Sequence, residues 1–535
     1  MKKWQGVEAA IFSLQSVAQY IPSDENYILP FVMQLLNCFP SSLKRLRFTA
    51  NMTIGNYATW LGKHPEYLSL LLPFLAQGLH ASLGCASSSA TAIKHICKNC
   101  TQQPLGDAVL QLYEGIVSAT NYSNAGVGYS CPIDLKDELQ VLEGTCVAVS
   151  LQFEYNPNAV SSNMNRIIYP ILERLKALTS PNSICNAKQV VSEIERLTVI
   201  IRFMDPPPVN DEEKYDEDGD EQSSRFKFII PLMKEAWNSL DAAAKKFPMD
   251  PNVAEKLCRL HKHALRGCGQ HYIPLLNSLM QTLVVYFQQS FLSPYLYAAS
   301  ICITDFSHDP NLVRGLYDMI SHLSSTVFSK LKSLDDFVSH PDVVEEFFYL
   351  LGRCMSHCPN PFVTSDLLNS SLRCAIVGMH VEHRDSNKGI LTFLEHTVSY
   401  GINISLDTLS NNSDAISQSC KAALEKVIMH EGQALVTNLA KGITGELPTY
   451  SHSLNRGSVS IAGIIYRMND LCPEQLLQWM NEALKQAPDP ARSEVLKLLA
   501  HKACKEEFII KLTNLKDLCE RSRKLMQNKG AYNCR

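Results

Sequence analysis

No stretch of this sequence approaches the roughly 18 uninterrupted apolar residues that a membrane-spanning helix needs. The most apolar segment, Leu68 to Leu75, is far too short, so no membrane association is expected. The opening Met-Lys-Lys-Trp-Gln-Gly-Val-Glu carries two lysines, but Glu8 interrupts the apolar run that a secretory leader requires next, and secretion is not expected. Period-two alternation, the mark of half-buried strands, is almost absent. Charge of one sign is not in excess either: 49 Lys and Arg stand against 53 Asp and Glu, a net charge of -4 at pH 7. Such a chain is not built to sit directly on nucleic acid, and any site for a polyanion must be a local patch.

The motifs of catalysis are missing too. There is no Gly-rich phosphate loop ending in Lys-Ser/Thr, no Gly-X-Ser-X-Gly elbow and no His-Glu-X-X-His. The triplet His383-Arg384-Asp385 looks like a kinase catalytic loop, but Ile390 stands where that loop needs Asn. No catalytic residue, no cofactor and no enzymatic activity are therefore expected. Metal sites fare little better. An EF-hand reading of Asp216, Asp218 and Asp220 fails because Glu221 takes the sixth position, where glycine is required, and Lys227 the twelfth, where glutamate is required. His95, Cys97 and Cys100 form one small cluster and Cys354, His357 and Cys358 another. Neither has the full set of four ligands on turns that zinc demands, so both are read as buried thiols. The 18 cysteines, Cys38, Cys146, Cys302 and Cys420 among them, suit small buried thiols in a reducing compartment.

What is present is helix. Length alone, 535 residues, rules out a single hydrophobic core, while 46% hydrophobic and 19% charged residues leave ample surface to bury. Apolar positions recur at three- and four-residue spacing in segments of about 12 to 20 residues, broken by Pro, Asn, Asp, Ser or Gly. Val7, Ala10, Ile11, Leu14, Val17 and Ala18 make a first stripe; Ile28, Phe31, Val32 and Leu35 make a second before Pro40. Helix pairs are expected to repeat, their first members beginning near Lys3, Ser42, Ala86, Ile133, Asn186, Asn252, Phe291, Pro341 and His383. Spacings of about 40 to 50 residues are those of HEAT repeats, whose pairs must stack to bury both faces. The fold class predicted is all-α, a HEAT-repeat solenoid in which antiparallel helix pairs form a right-handed superhelix. Residues 1–204 and 225–535 are read as repeats. Between them 205–224, rich in Pro, Asp and Glu, reads as a flexible acidic insert able to screen or compete for a basic site. Asn121 to Pro132 and Gly442 to Gly457 are expected to be loops.

The most informative helix is 252–267. At 100° per residue Lys256, Arg259, Lys262, His263 and Arg266 fall within an arc of roughly 120°, while Val253, Leu257, Leu260 and Ala264 take the adjoining arc. Spacing alone allows two readings, a solvated basic face or a binding stripe for phosphates or carboxylates. Arginine grips phosphate bidentately where lysine offers a point charge, so Arg259 and Arg266 lead the stripe.

Several stretches, in order and spread over essentially the whole chain, are similar to one family. They are Trp4-Gln5 with Glu8-Ala9; Arg47-Phe48-Thr49, Gly55 and His64-Pro65-Glu66-Tyr67-Leu68; Ala92 to Cys97 with Cys100; Glu195-Arg196-Leu197 with Val199-Ile200; His340-Pro341-Asp342-Val343; and His383 to Asn387. The chain resembles the transportin-3 (transportin-SR) branch of the importin-β superfamily, with importin-13 as its nearest cousin. The resemblance implies a nuclear import receptor that shuttles between cytoplasm and nucleus. Its implied partners are phosphorylated serine/arginine-rich splicing factors as cargo, Ran-GTP as the releasing signal, and nucleoporins. The family's arginine-rich, cargo-binding helix corresponds to Lys256, Arg259, Lys262, His263 and Arg266, with Lys256 and Lys262 standing where the family has arginine. Members are about twice as long, so the chain is expected to match the C-terminal half and to lack most of the Ran-GTP surface. Two alternatives stay open: a HEAT scaffold for other multiprotein complexes, and an importin-13-like receptor with different cargo.

Overall fold

Asp and Pro open helices because one side-chain oxygen satisfies the orphan amides of a first turn and the other residue has no amide to satisfy. The computed structural model shows this grammar repeatedly. Asp250 accepts from the amides of Asn252 and Val253 ahead of Pro251, Asp309 accepts from Asn311 ahead of Pro310, and Asn186 forms a reciprocal capping box with Gln189. The structure describes residues 3–40, 42–80, 83–124, 133–152, 157–205, 225–409, 415–447 and 460–533. These hold α-helices, short 3-10 turns and no strand, and no described helix is long and apolar enough to cross a membrane.

The helices fall into two compact units, Met1–Tyr272 and Ile273–Arg535. In the first, one row runs α1 (Lys3–Val17), α3 (Lys44–Asn56), α6 (Leu83–Asn99), α8 (Leu135–Leu151), α10 (Ala187–Phe203) and α12 (Pro251–Cys268), each against the next. Behind it stand α2 (Leu29–Asn37), α5 (Leu68–Leu79), α7 (Gly106–Asn124), α9 (Pro157–Thr179) and α11 (Arg225–Lys246), with the short α4 (Ala58–Lys63) between. In the second unit α14 (Ser293–Phe306), α17 (Pro341–His357), α20 (Arg384–Leu409), α22 (Ile461–Leu471) and α25 (Lys505–Asn533) form the corresponding row. It is backed by α13 (Ile273–Ser290), α15 (Pro310–Lys330), α19 (Asp366–Gly378), α21 (Ala415–Thr444), α23 (Pro473–Ala483) and α24 (Asp489–Ala500), with short α16 (Leu334–Ser339) and α18 (Pro359–Val363). Two layers of helices, each pair burying its inner faces against its neighbours, make a HEAT-type solenoid architecture.

The nine helix starts expected from the sequence fall on nine of the eleven front-row helices, displaced by no more than three residues; α22 and α25 had no expected start. The faces were harder. On α2 the buried residues are Leu29, Val32, Met33 and Leu36, while Ile28 and Phe31 are well exposed and Leu35 partly so. On α1 only Ile11 of the expected stripe is buried. Cys146, Cys302 and Cys420 are buried thiols, but Cys38 is exposed. Helix α7 continues to Asn124 and α21 to Thr444, into the segments read as loops; 125–132 and 448–459 lie outside the described residues, as do 206–224 of the acidic insert. Helices α10 and α12, on either side of that insert in sequence, pack directly together.

Candidate functional site

Helix α12 owes its orientation to its two arcs. Val253, Leu257, Leu260 and Ala264 are buried, joined by Ala254, Cys258, His261, Leu265 and Cys268, and they pack on α10 and α11. The helix stops where Gly269 turns to φ +51°, a conformation that costs any residue with a Cβ. The opposite arc meets solvent: Arg259 and Arg266 are exposed, Lys256, Lys262 and His263 half-buried.

These five side chains do not act alike. The Lys256 ammonium lies 3.1 Å from a Glu195 oxygen on α10 and 3.1 Å from a Glu255 oxygen. Partial burial works against its charge, but the two carboxylates outweigh that and hold its pKa above the ordinary lysine value. Arg259 stands 3.9 Å from Glu255, a loose surface pair that costs little to exchange for another anion. His263 departs from expectation. Burial, then the charges of Arg202, Lys262, Arg259 and Arg266, push its pKa down to about 4. It is therefore neutral at physiological pH and adds hydrogen-bonding capacity, not charge, to the stripe.

Arg202 was not singled out in the sequence. It is exposed at the end of α10, and its charge acts on the His263 ring of α12. The next residue, Phe203, is flanked by cations: the Arg202 guanidinium carbon is 4.8 Å and the Lys98 ammonium of α6 4.9 Å from the ring centre. Lys98 also donates to Glu143 of α8. Helices α6 and α8 approach closely here because Gly144 has no Cβ; one would lie 3.1 Å from the Lys94 Cα and 3.2 Å from the Cys97 sulfur. The only signal in the sequence was the position of Arg202 on α10, off the arc of Ile194, Leu197 and Ile201 that is buried.

Behind this face a charged lattice fixes the register of three helices. Arg196 of α10 donates to both oxygens of Glu138 on α8, each at 2.7 Å, and to Glu193 at 2.8 Å. Arg174 of α9 donates twice to Glu193 at 3.1 Å. Burial disfavours the Arg196 charge, and the Glu138 carboxylate more than restores it. Such a pair adds little net stability, but removing one partner would leave the other charge buried and uncompensated, so it is costly to break.

Of the two cysteine clusters, the first lies at the end of α6 beside Lys98 and the second at the end of α17 in the second unit. Burial raises the thiols of Cys97 and Cys100 to about 12 and lowers the pKa of His95. The sulfurs of Cys354 and Cys358 are 3.7 Å apart in the core. Among the described residues no three His, Cys, Asp or Glu side chains are grouped to hold a metal ion. The Asp216, Asp218 and Asp220 triplet lies outside the described residues.

Comparison with known proteins converges on one group. Residues 229–331 match the Transportin-3/Importin-13 fourth TPR domain and 26–113 the third. Transportin MOS14 of Arabidopsis thaliana is 23% identical over 98% of this chain and 51% of its own length. The mRNA transport regulator MTR10 of Saccharomyces cerevisiae is 22% identical over 84% of the chain and 46% of its own length. Human importin-13 is 20% identical over 90% and 46%. A solved structure of importin-13 in its cytosolic state superposes with a TM-score of 0.74, at 20% identity, over 97% of this chain and 55% of that one. The chain is similar along nearly its whole length to importin-β-superfamily receptors, shares their solenoid fold, and spans about half the length of the curated relatives it matches.

Proposed function

We propose that this chain works as the cargo-binding region of an importin-13/transportin-3-like nuclear import receptor, and that α12 recognises phosphorylated Arg-Ser segments of serine/arginine-rich splicing factors. The observation that carries the reading is the side of α12 turned to solvent: Arg259 and Arg266, two turns apart on one face, are both exposed on a helix whose other side is fully buried. Guanidinium groups so placed can each take a phosphate through two parallel hydrogen bonds. Lys256, already held between Glu195 and Glu255, orients the face and would contribute less. In this reading the receptor shuttles between cytoplasm and nucleus, and release of cargo by Ran-GTP belongs to the full-length receptors, most of whose Ran-GTP surface this chain is expected to lack.

The test is a binding titration of the full chain with an Arg-Ser peptide, phosphorylated on serine or not. Binding should strengthen at least about tenfold on phosphorylation, as expected for one or more charge-assisted contacts, and weaken steadily with added salt. Equal affinity for the two peptides, or no effect of reversing Arg259 and Arg266 to Glu, would reject the assignment and leave a HEAT scaffold with other partners.

A further inference from the structure

A cleft in the back layer of the second unit takes no part in the α12 site. It opens between the α18–α19 corner and α21, with a volume of about 520 Å³, inside the usual range of about 300–1,000 Å³ for a ligand site. Local chemistry fixes its walls. Thr364 donates to the carbonyl of Asn360 and Ser365 to that of Phe362, each at 2.8 Å, which pins the corner. On α21, Ala423, Lys426, Val427 and His430 recur at three- and four-residue spacing and so share the side that lines the cleft. Val363 and Val427 supply an apolar floor, with Met429, 55% exposed, beside it.

The polar groups of this cleft lack partners. Lys426 on α21 and Asp366 on α19 line it from opposite sides, and among the described residues neither is held in an ion pair. Asn369, one turn along α19 from Asp366, has a side-chain oxygen that is buried without a donor. Buried polar atoms are nearly always bonded, and this amide turns on a soft torsion that lets it meet a donor in the cleft. His430 is held differently: the Arg373 guanidinium donates to its Nε2 at 2.9 Å and to Glu431. A guanidinium only donates, so Nε2 accepts and the ring proton sits on Nδ1. A cation, an orphan acceptor and an apolar hollow around one cleft fit the end of a polypeptide. A last residue brings a carboxylate, a side chain and an N–H together. In an extended interior segment, an acidic and an apolar side chain on the same side are two residues, ~7 Å, apart. We propose that the cleft captures the free C-terminus of a partner protein. The terminal carboxylate sits on Lys426, the last side chain, aliphatic or aromatic, packs on Val363 and Val427, and its N–H donates to Asn369. A Lys or Arg upstream pairs with Asp366. Capture of a chain end is a recurring mode of peptide recognition. This site lies in the second unit and does not depend on the phosphopeptide reading of α12.

The experiment offers the full chain two libraries of peptides randomised at their last four positions, one ending in the free acid and the other amidated, and the retained peptides are sequenced. Free acids should be retained at least about tenfold better, enriched in an apolar last residue and in Lys or Arg shortly before it. Lys426→Gln, at an exposed position, should cancel the preference for the acid. Asp366→Asn should cancel only the preference for upstream Lys or Arg, and Asn369→Ala should weaken the best peptide about fivefold. Reversing Arg259 and Arg266 to Glu should change none of this, and thermal melts confirm that each variant is folded. Equal retention of acids and amides would mean an interior segment and overturn the terminal assignment. Retention of neither library would remove the site, and a preference for acids that survives Lys426→Gln would place it elsewhere.

Discussion

At the scale of single residues, the histidines of α12 show how packing, not sequence, sets charge. His261 is wholly buried, with its Nδ1 3.4 Å from the Tyr272 hydroxyl and its ring edge-on to Trp237, and burial lowers its pKa to about 4. His263 reaches the same value through partial burial and the four surrounding cations. The ordinary value is 6.5, so on acidification the unfolded chain takes up protons that the folded chain refuses. Above pH 6.5 these groups contribute nothing to the pH dependence; between pH 6.5 and 4 they make the fold progressively less stable. Glu346 in the second unit has the opposite sign. Burial, with Glu345 nearby, raises its pKa to about 7, so its influence is lost stability as pH rises from 4.5 toward 7. The difference between wild type and His263→Gln isolates one group. Their melting temperatures should agree at pH 7.5, and the variant should fall less steeply below pH 6.5. A His263 ring titrating near 6.5 in the folded chain, assigned in NMR by its loss in His263→Gln, would contradict this environment.

At the scale of helices, the limits of α12 are written in Asp250, Pro251 and Gly269, and replacing the cap tests that directly. Asp250→Ala removes the acceptor for two first-turn amides and should cost about 1 kcal/mol in urea denaturation. Caps and prolines are local chemistry, which is why the starts of nine front-row helices, α1 to α20, were legible within three residues. Which side of a helix faces inward was legible only where polarity decided it. On α12 the cationic arc leaves one choice. On α2 the sets Ile28, Phe31, Val32, Leu35 and Leu29, Val32, Met33, Leu36 are both apolar and nearly related by a one-residue shift, so periodicity could not choose; packing against α5 does. The site divides the same way. Lys256, Arg259, Lys262, His263 and Arg266 share one helix and so declare themselves together. Arg202 and Phe203 end α10 while Lys98 lies on α6, about a hundred residues earlier, and only stacking places it beside them.

At the scale of the whole chain, the repeat period implies cores built pair by pair, while the fold gathers them into two units divided between Tyr272 and Ile273. Each unit has its own buried interior: Val141, Leu142, Ile194 and Leu197 in the first, Phe347, Phe348, Phe362 and Phe393 in the second. Stacked repeats owe their stability to nearest neighbours, so damage in one interior should not be felt uniformly along the chain. The four tryptophans make this measurable, since Trp4, Trp60 and Trp237 lie in the first unit and Trp479 in the second. In a Trp479→Phe background, fluorescence reports the first unit alone and far-UV circular dichroism reports both. Leu197→Ala, which empties a fully buried site and costs about 2–5 kcal/mol, should move the fluorescence transition in urea to lower denaturant. Phe393→Ala, of comparable cost, should leave that transition in place and shift only part of the dichroism change. Equal displacement of both signals by both substitutions would mean that the two units unfold as one cooperative body.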